Sequence, residues 1–204
     1  MKYLSFFILL FIGELSVSAQ HMFSRQFPFF NQLSSNEIFS IHQDREGYFW
    51  IGTTNGLARY DGYQLNTFRT DYKNQNLLTD NGITAINDND LYVWIGTWKG
   101  LNLYNKQTCR ITPFPDARLL DKVVDAITVD KDGNVWVSAG GMIYRCDSTA
   151  HIIKEYEVGN IQEGYAISNI YVDQQKQLWA VGSRGIFRYE PETDSFFRYP
   201  PLGN

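Results

Sequence analysis

Four tryptophans at a near-constant interval limit what this chain can fold into more than any other feature. Trp50, Trp94, Trp136 and Trp179 stand 44, 42 and 43 residues apart, and an aspartate precedes each by six positions: Asp44, Asp88, Asp130 and Asp173. Seven residues after each tryptophan comes an aliphatic side chain (Leu57, Leu101, Ile143, Ile186), and ten after it Tyr60, Tyr104, Cys146 or Tyr189. A register held without a gap over this span is one supersecondary unit built four times. Such a unit cannot bury its apolar surface alone and must stack on its neighbours.

Each unit reads as four short strands separated by turn residues. An alternating apolar stretch comes first: IFSIHQ from Ile38, ITAIN from Ile83, VVDAITV from Val123 and AISNIYV from Ala166. A turn follows, with Gly47 or Gly133 supplying positive φ, and then a strand carrying the tryptophan. Asn55-Gly56, Lys99-Gly100, Gly141-Met142 and Arg184-Gly185 lead into LARYD, LNLYN, IYRCD and IFRYE, and a final apolar stretch makes the fourth strand. The aligned aspartates are expected at one structural position, capping turn amides. The glycine two residues after Trp50 and Trp94 implies close approach of a neighbouring backbone or ring.

Four strands per repeat of about forty residues predict an all-β fold, a β-propeller of four four-stranded blades with the tryptophans as plugs between sheets. An all-β solenoid is the architectural competitor. The blades are placed at 38–80, 81–121, 122–164 and 165–204. A lead-in over 20–37 carries one further strand, FSRQFPF from Phe23 to Phe29, with no blade of its own to complete.

The pattern D-x-x-G-x-x-W-I-G-T-x-x-G-L-x-x-Y-D, matched almost throughout by Asp44 to Asp61, resembles the two-component regulator propeller repeat of the periplasmic sensor region of Bacteroidetes-type hybrid histidine kinases. The Asp88 and Asp173 copies match well, whereas the Asp130 copy has Met142 for the turn glycine and Cys146 for the tyrosine. NQLSSNEI from Asn31 is similar to the lead-in before the first blade of those sensors. The resemblance implies that the four blades are an incomplete, N-terminal part of a larger, seven-bladed-like propeller, with closure of the four as a small ring the alternative. It also implies a ligand sensor whose signal is relayed by a membrane helix and kinase modules.

The first nineteen residues differ in composition. Lys2, the apolar run Tyr3 to Gly13 and the small residues Val17-Ser18-Ala19 read as a signal peptide, with Glu14 leaving an uncleaved anchor as the alternative. A periplasmic location is expected. The 204 residues are 44% hydrophobic with a net charge of −4 and no basic run, which argues against nucleic acid as a partner. Two cysteines, Cys109 and Cys146, are too few for a disulfide framework, and a single pairing between neighbouring units stays open.

Catalytic chemistry is hard to assemble from these residues. The three histidines are scattered, no Ser or Cys nucleophile stands at a recognisable spacing, and no phosphate-binding or kinase signature occurs. Asp130-Lys131-Asp132-Gly133-Asn134 resembles part of a calcium loop but coincides with a turn of the repeat and lacks the closing glutamate. No cofactor and no metal are expected, and the chain is read as a non-enzyme.

Recognition residues should be those that break the repeat at one end of the blades. Trp98 stands where the other copies have Thr54, Gly140 and Ser183. An exposed indole can stack on the apolar face of a sugar, with Lys99 and Arg184 as donors and Tyr72 and Tyr165 as further aromatic candidates. The bland alternative is that Trp98 packs against an adjacent loop. The expected partner is thus an oligosaccharide or polysaccharide fragment. Further blades, a membrane histidine kinase or a second copy forming a homodimer are the protein partners. A protein-binding scaffold and a polysaccharide-acting propeller enzyme are the rival functions.

Overall fold

The computed structural model describes residues 29–70, 77–158, 167–183 and 185–199. The signal-peptide reading and, apart from Phe29, the strand expected over Phe23–Phe29 lie outside them. Among the described residues, sixteen strands form four antiparallel sheets, each in sequence order. Blade one comprises β1 (Ile38–Gln43), β2 (Phe49–Thr53), β3 (Gly56–Tyr60) and β4 (Leu65–Phe68). Blade two comprises β5 (Ile83–Asp88), β6 (Tyr92–Thr97), β7 (Gly100–Asn105) and β8 (Arg110–Pro113). Blade three holds β9 (Val124–Val129), β10 (Val135–Ala139), β11 (Met142–Cys146) and β12 (Ile152–Glu157). Blade four holds β13 (Ile167–Val172), β14 (Leu178–Gly182), β15 (Gly185–Glu190) and β16 (Ser195–Arg198). The only helical turns among the described residues are two three-residue 3-10 turns, Phe30–Gln32 and Ala117–Leu119.

The first strands of successive sheets pack side by side, β1 on β5, β5 on β9 and β9 on β13, so the blades are arrayed with β1 and β13 at the two ends. Three apolar clusters fill the joints. Trp50 and Leu57 of blade one meet Ile83, Ile86, Val93 and Tyr104 of blade two, and the same positions recur at the next two joints. The ring of Tyr104 stands edge-on to Trp50 at 4.8 Å, and Tyr189 meets Trp136 at 4.8 Å with nearly the same tilt, 63° and 62°. Cys146 takes that position at the middle joint, where Phe114 packs on Trp94 at 5.8 Å instead. Both cysteines are free thiols, Cys109 exposed and Cys146 buried, and burial pushes the Cys146 thiol up to about 12.

The glycine after the tryptophan is explained by a side chain of the next blade rather than by the indole. A Cβ added at Gly52 would lie 2.6 Å from Ile83 Cγ2, and one at Gly96 would lie 2.6 Å from Val124 Cγ1. A Gly96→Val substitution is therefore expected to destabilise the chain by about 1–3 kcal/mol through overpacking, measured by urea unfolding with an unchanged m-value.

The aspartates follow the expected pattern in blades one, three and four and depart from it in blade two. Asp44 accepts the Glu46 and Tyr48 amides at 3.0 and 2.9 Å and the Trp50 Nε1–H at 2.6 Å. Asp130 and Asp173 likewise cap their turns and each accept an indole N–H at 2.8 Å. In those blades the tryptophan faces the residue eight positions earlier: His42, Thr128 or Tyr171. In blade two Trp94 faces Asn87, seven earlier, so the hairpin is one residue shorter. The cap then falls on Asn89, whose Oδ1 accepts the Leu91 and Tyr92 amides at 3.0 and 2.8 Å.

Asp88 is displaced from the turn onto the end of β5, where its carboxylate enters the joint with blade one. It accepts from His42 Nε2 at 2.7 Å, Lys106 Nζ at 2.6 Å and the Arg45 amide at 3.2 Å. The side chains of Asp88 and Lys106 are only 4% and 7% exposed. Burial alone would raise this carboxyl, but the bonds from His42, Lys106 and the Arg45 amide outweigh it and hold the group down at about 2. The exchange leaves Trp94 Nε1 buried without a hydrogen-bond partner, because Asn89 has one side-chain oxygen, taken by the turn amides, and in place of the second carboxylate oxygen an NH2 that is itself a donor, to Ser148 O at 3.1 Å.

Candidate functional site

The turns between the second and third strands gather at one end of the blades, and their backbone is set by the repeat. The Thr54, Trp98 and Gly140 amides each donate to the carbonyl of the residue just before their blade's first strand: Glu37, Gly82 and Val123. Thr53 and Thr97 lock two of these turns, their hydroxyls donating to Gly56 O and Gly100 O at 2.8 Å. Trp98 is thus a new side chain on a repeated backbone.

That side chain is 45% exposed. Its indole lies flat over the chain at Gly82, where an added Cβ would fall 2.4 Å from Trp98 Cε3. It forms a T-shaped pair with Phe39 of blade one, the ring centroids 6.3 Å apart at 67°. Phe39 is itself 57% exposed. The bland expectation of contact with an adjacent loop holds at the backbone of Gly82, yet the outer part of the indole remains open. Lys99 lies beside it at 65% exposure, its Nζ 3.9 Å from Asp80 Oδ2, while Asp80 Oδ1 caps the Gly82 amide at 2.8 Å. The other expected site residues, Tyr72, Tyr165 and Arg184, lie outside the described residues.

Phe39 was not singled out by sequence reasoning. Its exposure comes from a bulge: the pairing of β1 with β2 slips between Ile38 and Ser40, and the same slip occurs between Ile83 and Ala85, Val124 and Ala126, and Ile167 and Asn169. A bulge re-aims one side chain out of the pleat. The residues at this position are Phe39, Thr84, Asp125 and Ser168, and they differ from blade to blade. Asp125 keeps a solvent-accessible side chain, yet burial by the surrounding protein pushes its carboxyl up to about 6.

A concavity of about 480 Å³ opens at the other end of the first strands between Arg45, Asn87, Asp88, Thr128, Tyr171 and Lys176. Its two carboxylates are already engaged, Asp88 by His42 and Lys106 and Asp173 by the Trp179 indole. His42, on the first strand β1, is satisfied by Asp88. The Asp130 loop is a turn, with Asp130 Oδ2 taken by Asn134 and Trp136. Among the described residues no three His, Cys, Asp or Glu side chains come together as a metal-binding group, and no helix is long and apolar enough to cross a membrane.

Comparison with known proteins agrees with this architecture. Residues 32–55 match the family model described as two component regulator propeller. No curated protein matches the chain. Among solved structures, the extracellular domain of BT4673 from B. thetaiotaomicron, described as a hybrid two component system, superposes with a TM-score of 0.62 at 20% identity over 76% of this chain. The corresponding domain of BT3049 from the same organism gives 0.55 at 22% identity over 81% of this chain. Virginiamycin B lyase from Staphylococcus aureus gives 0.62 at 18% identity over 80% of this chain and 55% of its own. The chain spans 21% and 30% of the two B. thetaiotaomicron domains. The fold is therefore a β-propeller array, with residues 32–55 similar to a two-component regulator propeller repeat.

Proposed function

We propose that this chain is the ligand-sensing propeller region of an exported, periplasmic two-component signalling protein, that it recognises an oligosaccharide, and that it is not an enzyme. The observation that carries the reading is the exposed aromatic pair Trp98 and Phe39, two rings from adjacent blades held on otherwise repeated backbone. A sugar's C–H face stacks on an indole while its hydroxyls need donors and acceptors, which Lys99 and Asp80 offer beside the ring. The family match at residues 32–55 supports the signalling role, in which ligand binding shifts the placement of paired extracellular domains and a membrane histidine kinase answers. The concavity at the other end of the first strands supports the assignment less well, because its carboxylates are occupied.

Glycan-array binding tests this reading. Trp98→Ala is expected to lower glycan binding at least about tenfold, the scale of one lost stacking contact, while Thr54→Ala at the equivalent turn leaves it unchanged. Absence of any glycan binding by the wild-type chain would sink the reading, and release of unsaturated sugar products would replace it by a lyase. A scaffold reading has one observation in its favour: the apolar side chains exposed on the outer faces of blades one and four, among them Ile41 at 63% and Phe197 at 50%.

A further inference from the structure

The third residue after the turn aspartate has a positive φ in blades one, three and four. Blades one and three place Gly47 and Gly133 there, whereas blade four places Lys176, its amide closing the turn on Asp173 O at 2.9 Å just as the Gly47 amide closes on Asp44 O. A side chain is disfavoured in this region of backbone space, so the turn itself gains nothing from the lysine. What the lysine adds is a cation. It is exposed, and its Nζ has no hydrogen-bond or ion-pair partner among the described residues.

That cation lines the concavity of about 480 Å³ at the end of the first strands away from Trp98. Arg45 of blade one lines it too, 54% exposed, with Nη1 given to Asp90 and its other N–H groups open. No lining carboxylate is left without a donor: Asp88 accepts from His42, Lys106 and the Arg45 amide, and Asp173 accepts from the Gln177 amide and the Trp179 indole at 2.9 and 2.8 Å. Asn87 is engaged at both ends of its side-chain amide, by Ile127 O and by the Asp88 amide. The lining side chains left open to a ligand are the Lys176 ammonium, the Arg45 guanidinium and the hydroxyls of Thr128 and Tyr171, all of them able to donate.

We propose that this concavity is a second ligand site, for a small molecule bearing a carboxylate, sulfate or phosphate group, with Lys176 and Arg45 holding the anion and the Thr128 and Tyr171 hydroxyls meeting the rest of the ligand. Charge-assisted hydrogen bonds to an oxyanion are roughly twice as strong as neutral ones, which favours an anion where cationic donors stand open. The volume exceeds that of a bare ion and falls within the roughly 300–1,000 Å³ usual for small-molecule pockets. Asp90 is the internal competitor for Arg45, and at 83% exposure its pairing contributes little in water, so an incoming anion displaces it readily. The site shares no residue with the Trp98 and Phe39 pair and is independent of the sugar reading.

Isothermal titration calorimetry at constant ionic strength tests it with glucuronate, sulfate and neutral glucose on wild type, Lys176→Gly, Arg45→Gln and Asp90→Asn. Glucuronate is expected to bind wild type and glucose not. Lys176→Gly, which restores the residue of the equivalent turns, should lose at least about tenfold in anion affinity with no loss of stability in urea unfolding, and Arg45→Gln should lose a similar factor. Asp90→Asn should tighten binding about two- to fivefold by freeing the guanidinium. Glucuronate binding more tightly than sulfate assigns an acidic sugar as the ligand, and the reverse order assigns a free inorganic anion. The proposal is overturned if neither anion binds, if glucose binds as tightly as glucuronate, or if folded Lys176→Gly keeps the wild-type affinity. Glycan binding at Trp98, read on the same samples, separates this outcome from the fate of the sensor reading.

Discussion

Replacing Asp88 with alanine is expected to destabilise the chain by about 3–5 kcal/mol, the range for removing one partner of a buried ion pair. The cause is the ammonium left behind: Lys106 is 7% exposed and loses its 2.6 Å carboxylate partner, while His42 Nε2 and the Arg45 amide lose theirs. Urea unfolding of Asp88→Ala against Asp90→Ala checks it, because Asp90 is 83% exposed and its bond to Arg45 contributes little in water. A loss at Asp88 no larger than that at Asp90 would disprove the buried latch.

The same group sets an acid dependence. The Asp88 carboxyl is held at about 2 in the folded chain, below its ordinary 3.8, so the unfolded chain binds its proton first as pH falls. The stabilisation, roughly 2 kcal/mol on the scale of 1.36 kcal/mol per pH unit, is complete above pH 3.8 and disappears as pH drops through that value towards 2. In Asp88→Asn that portion of the acid-induced loss should vanish from the pH profile of the unfolding free energy.

Truncating Trp136 to alanine is expected to cost about 3–5 kcal/mol, whereas the same change at Trp179 should cost about 1 kcal/mol or less. Both indoles donate to an aspartate at 2.8 Å, so the hydrogen bond does not distinguish them. Packing does. Trp136 is 1% exposed among Tyr156, Tyr189 and Phe196 at 5.4, 4.8 and 6.0 Å, with the Arg145 guanidinium 5.5 Å from its ring. Trp179 is partly exposed and edged by Tyr199 at 5.2 Å. Equal losses in paired unfolding titrations would mean that the tryptophans act within their own sheets rather than as plugs between them.

How much of this was legible in the sequence can be judged residue by residue. The period of the tryptophans fixed the number of sheets and the strand that each indole occupies, because one packing problem solved four times leaves the same side chains at the same spacing. The turn role of Asp44, Asp130 and Asp173 was legible for the same reason. Asp88 was misplaced, since counting back six residues assumes equal hairpins. The sequence does not separate blade two from blade four here, since neither has a glycine at this turn, and only the backbone shows the missing residue with positive φ. Gly47, Gly133 and Lys176 adopt it at φ 91°, 82° and 65°, whereas Leu91 in blade two does not.

Trp98 could be picked out because it breaks a repeat. Phe39 could not, since in the sequence it is one more apolar residue in an alternating strand, and only the bulge turns it outward beside the indole. Local spacing thus determined the strands, the turns and which residues must be plugs, because these depend on backbone periodicity and on side-chain size. Tertiary structure decided which blade each side chain faces. It put Asp88 on His42 and Lys106 and Phe39 on Trp98, and it left Trp179 and Ile41 with no neighbouring sheet among the described residues, because contacts between sheets depend on register and on close approach, which no single stretch of chain encodes.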